Sequence, residues 1–192
     1  MWPQGGEIDI MEYVGSIPHH NLGSVHYAWS WENNQYQSWN HGHKGAYFSY
    51  DEKQVPSPNP LQGGWPVAPG TASAGSGGFH TYRLDWYSDR MEFAIDEQVY
   101  HIHYFQDGGI YNNAADGQDA DALVTIGGKR VMKSEYTSGH FPEWSPFEHK
   151  FFMLLTAGVG GNDVVTYGGA IAPTATFPCT TFIDWVRVYR RQ

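Results

Sequence analysis

The sequence has little cysteine and little positive charge, and both shortages exclude classes of protein. Cys179 is the only cysteine in 192 residues, so no disulfide can form within the chain, and we expect a small buried thiol. Only 11 lysines and arginines stand against 20 acidic residues, so the basic face that binds nucleic acid is missing. No apolar run approaches the roughly 18 residues that span a bilayer. We expect neither a nucleic-acid nor a membrane partner.

Helical periodicity is scarce as well, and short runs of alternating polar and apolar residues take its place. Two turns separate three such runs between Phe79 and Tyr104, which predicts a three-stranded meander. Thr181–Tyr189 alternates in the same way, and the continuous apolar run Phe151–Val159 is typical of a strand buried on both faces. The pattern predicts one all-β sandwich domain over residues 1–192, with a long loop-rich insertion at residues 32–78.

Near its start the chain carries three acidic residues within six positions. In an extended strand, Glu7 and Asp9 point to one face, while Ile8 and Ile10 point to the other. Strict alternation would place Glu12 with the isoleucines, but one extra residue in a β-bulge around residues 10–11 returns it to the face of the other acids. We therefore predict a bulged strand with three carboxyl groups on one surface.

Three acids on one surface push their pKa values apart, so that one group holds a proton while another is ionised. Double-displacement glycoside hydrolysis requires such a pair, in which an ionised carboxylate attacks the anomeric carbon and a protonated one, about 5–5.5 Å away, donates to the leaving oxygen. A calcium site or a solvated acidic face would also fit the pattern. Strand interiors are poor in Glu and Asp, which favours catalysis.

The segment from Trp2 to Glu12, W-P-Q-G-G-E-I-D-I-M-E, closely resembles the catalytic strand of glycoside hydrolase family 16. It has the E-x-D-x-x-E form of laminarinase-like endo-β-1,3-glucanases. Four further segments resemble later strands of that family in matching order, namely Ser24–Tyr27, Phe79–Trp86, Phe152–Asn162 and Phe182–Tyr189. The resemblance spans nearly the whole chain and implies a jelly-roll β-sandwich of two antiparallel sheets with a concave substrate cleft.

The resemblance also implies a reaction. Glu7 would be the nucleophile, Glu12 the general acid/base, and Asp9 the residue between them that hydrogen-bonds the nucleophile and tunes its protonation. The implied reaction is endo-hydrolysis of a β-linked polysaccharide, foremost β-1,3-glucan, with retention of configuration and without a cofactor. Because such a polymer is met outside the cell, we expect an extracellular or periplasmic protein.

Binding residues follow from the same resemblance. Trp2 would form a sugar-stacking wall, His26 would contact sugar near the scissile bond, and Asn162 is a weaker candidate for the cleft. The family often has Trp after Gly-Gly-Asn, whereas Asp163 stands here. Relatives often hold a structural calcium partly through a carboxylate on the last strand, a position that Asp184 matches.

The resemblance departs from the family pattern at the beginning of the chain. Members normally carry strands of both sheets before the catalytic motif. We therefore expect a domain that is incomplete at its N-terminus and needs the missing segment. Opening the sandwich in this way would expose unpaired strands and apolar surface, so the 192 residues alone are predicted to be poorly soluble or inactive.

Two other interpretations of the function stay open. His101 and His103 alternate on one strand, as a metal pair would require, so a metal-binding jelly roll of the cupin type is a rival. The loose spacing to further ligands favours surface histidines instead. A glucan-recognition protein of the same fold would bind without cutting, but such proteins lose the catalytic acids. Agarose, porphyran, carrageenan and mixed-linkage glucan are the alternative substrates.

Overall fold

The structure is a computed structural model that describes residues 5–15, 17–28, 31–32, 35–36, 41–50, 67–69, 78–105, 122–135, 147, 149–160, 169–171 and 173–190. Within these residues it contains eleven β-strands and no α-helix, and hence no helix that could cross a membrane. The strands in chain order are β1 (Glu7–Glu12), β2 (His20–Ala28), β3 (Trp31–Glu32), β4 (Gln35–Tyr36), β5 (His41–Ser49), β6 (Val67–Pro69), β7 (Tyr82–Trp86), β8 (Arg90–Ile95), β9 (Gln98–Tyr104), β10 (Ala122–Ile126) and β11 (Lys129–Glu135).

The strands form two main sheets and one small hairpin. The first sheet has the order β1-β2-β5-β6, and the second has the order β10-β11-β9-β8-β7. Among the described strands, β3 and β4 pair with each other alone. Most neighbours are antiparallel, while β5 with β6 and β9 with β11 are parallel pairs.

The two sheets share one buried core. The first sheet contributes aromatic side chains such as Tyr27 and Phe48, and the second contributes Phe93, Tyr100 and Met132. The rings of Phe48 and Tyr100 meet with their centroids 5.4 Å apart. Each such buried side chain stabilises the fold by about 1.5–3 kcal/mol. The predicted fold class, an all-β jelly-roll sandwich, is confirmed.

The predicted meander is confirmed as β7, β8 and β9. The turn between β8 and β9 places Asp96 in the left-handed region, at a φ of 52°. Its carboxylate accepts hydrogen bonds from the backbone N–H of Thr81 at 3.1 Å and from Nδ1 of His80 at 3.0 Å. These bonds fix the turn against the start of β7.

The predicted surface position of His101 and His103 is wrong, because both side chains are fully buried. Parallel pairing of β9 with β11 places Ser134 opposite His103. The Oγ of Ser134 lies 2.8 Å from Nε2 of His101 and 2.9 Å from Nδ1 of His103. The ring of His101 also stacks on that of Phe93, with centroids 5.0 Å apart. A hydroxyl partner inside the core thus allows two polar rings to be buried.

Two strand predictions near the C-terminus are also wrong. Residues 151–159 and 181–189 form no strand, and large apolar side chains there are exposed, with Phe152 at 82% and Val188 at 84%. Alternation makes a strand only where a neighbouring strand supplies hydrogen bonds, and no described strand pairs with these residues. The chain divides into two compact units, Met1–Leu154 and Leu155–Gln192.

The burial predicted for the thiol of Cys179 is wrong as well. Cys179 is exposed rather than buried, and its Sγ donates to the carbonyl oxygen of Thr176 at 3.1 Å. The residues described on both sides of it, 173–190, are all exposed.

Candidate active site

Strand β1 carries its three acids on one face because its pairing with β2 contains an extra residue. Asp9 lies opposite Ser24, and Glu12 lies opposite Leu22, so three steps along β1 match two steps along β2. This shift confirms the β-bulge that the sequence predicts around residues 10–11. Ile8 points the other way and packs against the core, which anchors the strand.

A single hydroxyl connects the groups on this face. Ser24 Oγ lies 3.1 Å from Oδ2 of Asp9, 3.0 Å from Oε2 of Glu12 and 3.3 Å from Nε2 of His26. Ser24 itself is fully buried, and its three neighbours are half-buried. The bulge therefore brings Glu12 to the same atom that Asp9 contacts.

Ser24 is a site residue that the sequence reasoning missed. The sequence does contain a signal for Ser24, since alternation along β2 places it on the same face as His26, two positions later. Antiparallel pairing with the acidic strand would then bring its hydroxyl opposite the middle acid.

His26 faces the acids from the neighbouring strand. It is the register partner of Glu7, and its Nε2 lies 3.4 Å from Oδ2 of Asp9. Burial by itself would lower the pKa of His26. The hydrogen bond to Asp9 and the charges of Asp9, Glu7 and Glu12 outweigh burial, so the pKa is raised above its usual value of 6.5. The imidazole therefore carries positive charge to higher pH than an exposed histidine.

Glu12 holds its proton to neutral pH. Burial is the largest cause, and the charge of Asp9 adds to it, so that the pKa of Glu12 is raised from 4.5 to about 7. A hydrogen bond from Ser24 and the charge of His26 act in the opposite direction, and the charge of Glu7 adds a smaller increase. Because Glu7 acts on both Glu12 and His26, all four groups belong to one electrostatic cluster.

This cluster can transfer protons. A carboxyl group with a pKa of about 7 can donate a proton and take one back near neutral pH. Among the described residues, ligand atoms of Asp9, Glu12 and His26 also lie within 4.8 Å of one another, close enough to surround a cation. Calcium prefers about six to eight oxygen ligands, so three groups that include an imidazole fit it poorly.

The sequence also predicts roles for Trp2, Asn162 and Asp184. Trp2 and Asn162 lie outside the residues that the structure describes. Asp184 is described, and it belongs to the unit Leu155–Gln192 rather than to the unit that holds the acids. Their roles stay predictions.

The chain is similar in sequence to several known proteins. No family model matches the chain. A glucan endo-1,3-beta-glucosidase of Cryptopygus antarcticus is 29% identical over 164 residues, which is 84% of this chain and 40% of the relative. A beta-1,3-glucan-binding protein of Penaeus monodon is 28% identical over 188 residues, which is 96% of this chain and 42% of the relative.

A solved structure is also similar to part of the chain. It is that of a non-specific endo-beta-1,3(4)-glucanase from family GH16, with 26% identity, 62% of this chain and 32% of that chain covered, and a TM-score of 0.32. The resemblance to laminarinase-like endo-β-1,3-glucanases, predicted from the motifs, is confirmed at the level of sequence by the glucanase from Cryptopygus antarcticus and by a beta-glucanase of Rhodothermus marinus, which is 25% identical over 193 residues, 98% of this chain and 46% of the relative. The chain spans less than half the length of these relatives.

Proposed function

We propose that the protein is a retaining endo-glycoside hydrolase that acts on a β-linked glucan. The observation that carries this proposal is that the bulge in β1 brings the carboxyl groups of Asp9 and Glu12 to one hydroxyl, that of Ser24. Burial and the charge of Asp9 there raise the pKa of Glu12 to about 7. A retaining glycosidase needs one protonated and one ionised carboxyl group side by side. The bulge in β1 supports this arrangement, since without it Glu12 would point away from the other acids.

In the first step of the proposed reaction, the carboxylate of Glu7 attacks the anomeric carbon. The bond to the leaving sugar oxygen breaks, and that oxygen takes the proton of Glu12. The product is a glycosyl ester on Glu7 and an ionised Glu12. In the second step, Glu12 removes a proton from water, the water oxygen attacks the anomeric carbon, and the ester bond to Glu7 breaks. Both residues return to their starting forms, and the configuration at the anomeric carbon is retained.

Asp9 and His26 would support these steps without forming a bond to sugar. Asp9 lies between the two reacting acids in sequence, and its charge favours the protonated form of Glu12. His26 would place a positive charge beside the cluster, opposite Glu7. This charge offsets part of the repulsion among three acids on one face.

We propose β-1,3-glucan as the substrate because two of the sequence relatives carry that polymer in their names. The net charge of −9 disfavours sulfated galactans such as carrageenan, whose charge has the same sign. A polymer of this size would be met outside the cell, which supports an extracellular or periplasmic location. The proposed steps use only carboxyl groups and water, so no cofactor enters the chemistry.

The proposal is tested by mechanism and by substrate together. The protein at its full natural length is incubated with laminarin, mixed-linkage glucan, agarose, porphyran and carrageenan, and ¹H NMR follows the first anomer released. We expect the β-anomer from laminarin. A 2-deoxy-2-fluoro laminaribiosyl donor should leave a covalent adduct on the peptide that contains Glu7. The α-anomer, an adduct on another residue, or no cleavage of any β-glucan would contradict the proposal.

Binding without cleavage is a second candidate, because the relative from Penaeus monodon is named a binding protein. Glu7→Ser separates the two functions. An enzyme with this substitution loses turnover of laminarin yet keeps its affinity for the polymer, as isothermal titration calorimetry would show. In a binding protein, wild type and variant bind alike and neither one cuts.

A further inference from the structure

The contacts of Ser24 require more protons than its hydroxyl can supply. A serine hydroxyl donates one hydrogen bond and accepts up to two. Its Oγ lies within 3.3 Å of Asp9 Oδ2, Glu12 Oε2 and His26 Nε2. All three contacts can therefore be hydrogen bonds only when two of the neighbours donate to Oγ. Asp9, as a carboxylate, can only accept.

One arrangement satisfies all three contacts. Glu12 in its acid form donates to Oγ, and the hydroxyl of Ser24 donates to Asp9. The single Nε2–H of His26 is shared between Ser24 Oγ at 3.3 Å and Asp9 Oδ2 at 3.4 Å. When Glu12 loses its proton, it becomes an acceptor, and two carboxylates then compete for the one hydroxyl proton. Burial excludes water from Ser24, so the hydroxyl must rotate toward one acid or the other.

We propose that Ser24 is a positioning residue whose hydroxyl donates to Asp9 while Glu12 is protonated and turns to donate to Glu12 when that residue is ionised. Its role in turnover rests on the proposed hydrolase function, in which Glu12 acts first as acid and then as base. The hydroxyl would hold the Glu12 side chain in one place through both steps. It would also supply a donor to the ionised form, which agrees with the direction in which Ser24 moves the pKa of Glu12.

Other ionisable groups also act on Glu12, and their effects on its titration differ in origin from that of the Ser24 hydroxyl. Asp9 and Glu7 on β1 raise the pKa of Glu12, whereas His26 on β2 lowers it. The phenol of Tyr100 on β9 also interacts with the charge of Glu12. Substitution of Ser24 leaves these four groups in place, so a change in the titration of Glu12 reports on the hydroxyl itself.

The test compares Ser24→Ala with Ser24→Thr, which keeps the hydroxyl and suits a strand. Carboxyl ¹³C NMR on the full chain, without substrate, follows the titration of Glu12. Loss of the donor should raise the midpoint by about half to one pH unit in Ser24→Ala, while Ser24→Thr stays within about 0.2 unit of wild type. Ser49→Ala, at a buried serine of β5, controls for lost packing and should leave the midpoint unchanged.

Kinetics on laminarin provide a second readout. Misplacement of the acid should lower kcat about tenfold in Ser24→Ala with KM within about twofold, and Ser24→Thr should restore most of kcat. An unchanged midpoint in Ser24→Ala, or a threonine variant that titrates like alanine, would overturn the proposal. Should Ser24→Ala fail to fold, Ser24→Cys replaces it. Because a thiol is a weaker donor than a hydroxyl, the titration midpoint of Glu12 must then rise, but by less than the half to one pH unit expected for alanine. A wild type that never cuts glucan overturns the hydrolase function, while the NMR titration still decides the role of the hydroxyl.

Discussion

Tyr100 of β9 reaches across the sandwich to Gly23 of β2, and its phenol oxygen fills the space that a side chain at position 23 would need. The neighbouring Asn21 donates from Nδ2 to the same phenol oxygen at 3.5 Å. Because Gly23 directly precedes Ser24, this contact fixes the strand at the point where it meets the acids. The core and the candidate active site thus share one short stretch of backbone.

We predict that Gly23→Ala destabilises the fold by about 1–3 kcal/mol, since the added methyl group would overlap the Tyr100 hydroxyl and press on the ring of Phe93. Urea denaturation measures the free energy of unfolding. Gly15→Ala is the control, because the space around Gly15 is open and the change there should stay within about 0.5 kcal/mol. Tyr100→Phe in the Gly23→Ala background should recover part of the loss. Equal stability of the two alanine variants would disprove the contact.

The proposed role of Glu12 as proton donor predicts a dependence on the leaving group. Glu12→Gln should reduce kcat/KM on laminarin by about 10²–10⁴-fold. An aryl laminaribioside with a dinitrophenolate leaving group needs no proton from the enzyme. The rate of its first step should therefore fall far less in Glu12→Gln. Glu7→Gln should abolish cleavage of both substrates, because the attacking carboxylate is gone. The surface control Glu97→Gln, at a side chain that is 94% exposed, should behave as wild type. Equal losses on both substrates for Glu12→Gln would argue against its role as acid.

The same residue sets the alkaline side of the pH profile. In the proposed reaction Glu12 must be protonated to assist the leaving group, and its pKa is raised to about 7. The value of kcat/KM for laminarin should therefore fall above about pH 7, tenfold for each further pH unit. Initial rates between pH 4 and pH 9, corrected for irreversible loss of activity, measure this limb. A rate that stays level to pH 9 would show that Glu12 is not the acid.

Much of the site follows from the sequence because its causes are local. Alternation in β1 gives the faces of Glu7 and Asp9. Strict alternation would put Glu12 on the opposite face, so the prediction needs one extra residue, and the structure has it. Turn residues and alternation likewise give the meander of β7, β8 and β9. These features depend on neighbours within a few positions, and sequence patterns report such neighbours directly.

The features that sequence could not give depend on distant partners. His101 and His103 read as surface residues, because the pattern of one strand cannot show that a parallel neighbour brings Ser134 beside them. Residues 151–159 form a continuous apolar run and residues 181–189 alternate, as strands do. A strand also needs a pairing neighbour, and no described strand pairs with either segment. The same reasoning explains Ser24, whose importance appears only once β1 and β2 are paired.

The buried histidine pair gives a prediction for stability. Ser134 Oγ contacts ring nitrogens of both His101 and His103, and all three side chains are fully buried. Ser134→Ala removes the hydroxyl that both rings share, so we expect a loss of about 1–3 kcal/mol in the free energy of unfolding. Ser88→Ala, in the exposed turn before β8, is the control. A cupin-type metal site makes a different prediction, because bound metal would appear in elemental analysis of the purified protein.

The raised pKa of Glu12 also predicts that this residue in the candidate active site lowers the free energy of unfolding at high pH. The folded state binds the proton of Glu12 with a pKa of about 7, against 4.5 in an unfolded chain. The stabilising effect of this proton is complete below pH 4.5 and is lost as the pH rises through 7, where a half-buried charge replaces it. Glu12→Gln cannot ionise and avoids this loss.

Relative to wild type, Glu12→Gln should therefore gain about 1–3 kcal/mol in the free energy of unfolding between pH 4.5 and pH 8. Urea denaturation at both pH values measures the difference. Glu97→Gln, whose side chain is exposed, should show a change below about 0.5 kcal/mol over the same interval. A Glu12→Gln variant that gains nothing at pH 8 would mean that Glu12 ionises in the fold as easily as in water. In that case the acid proposed for the first chemical step would already have lost its proton at neutral pH.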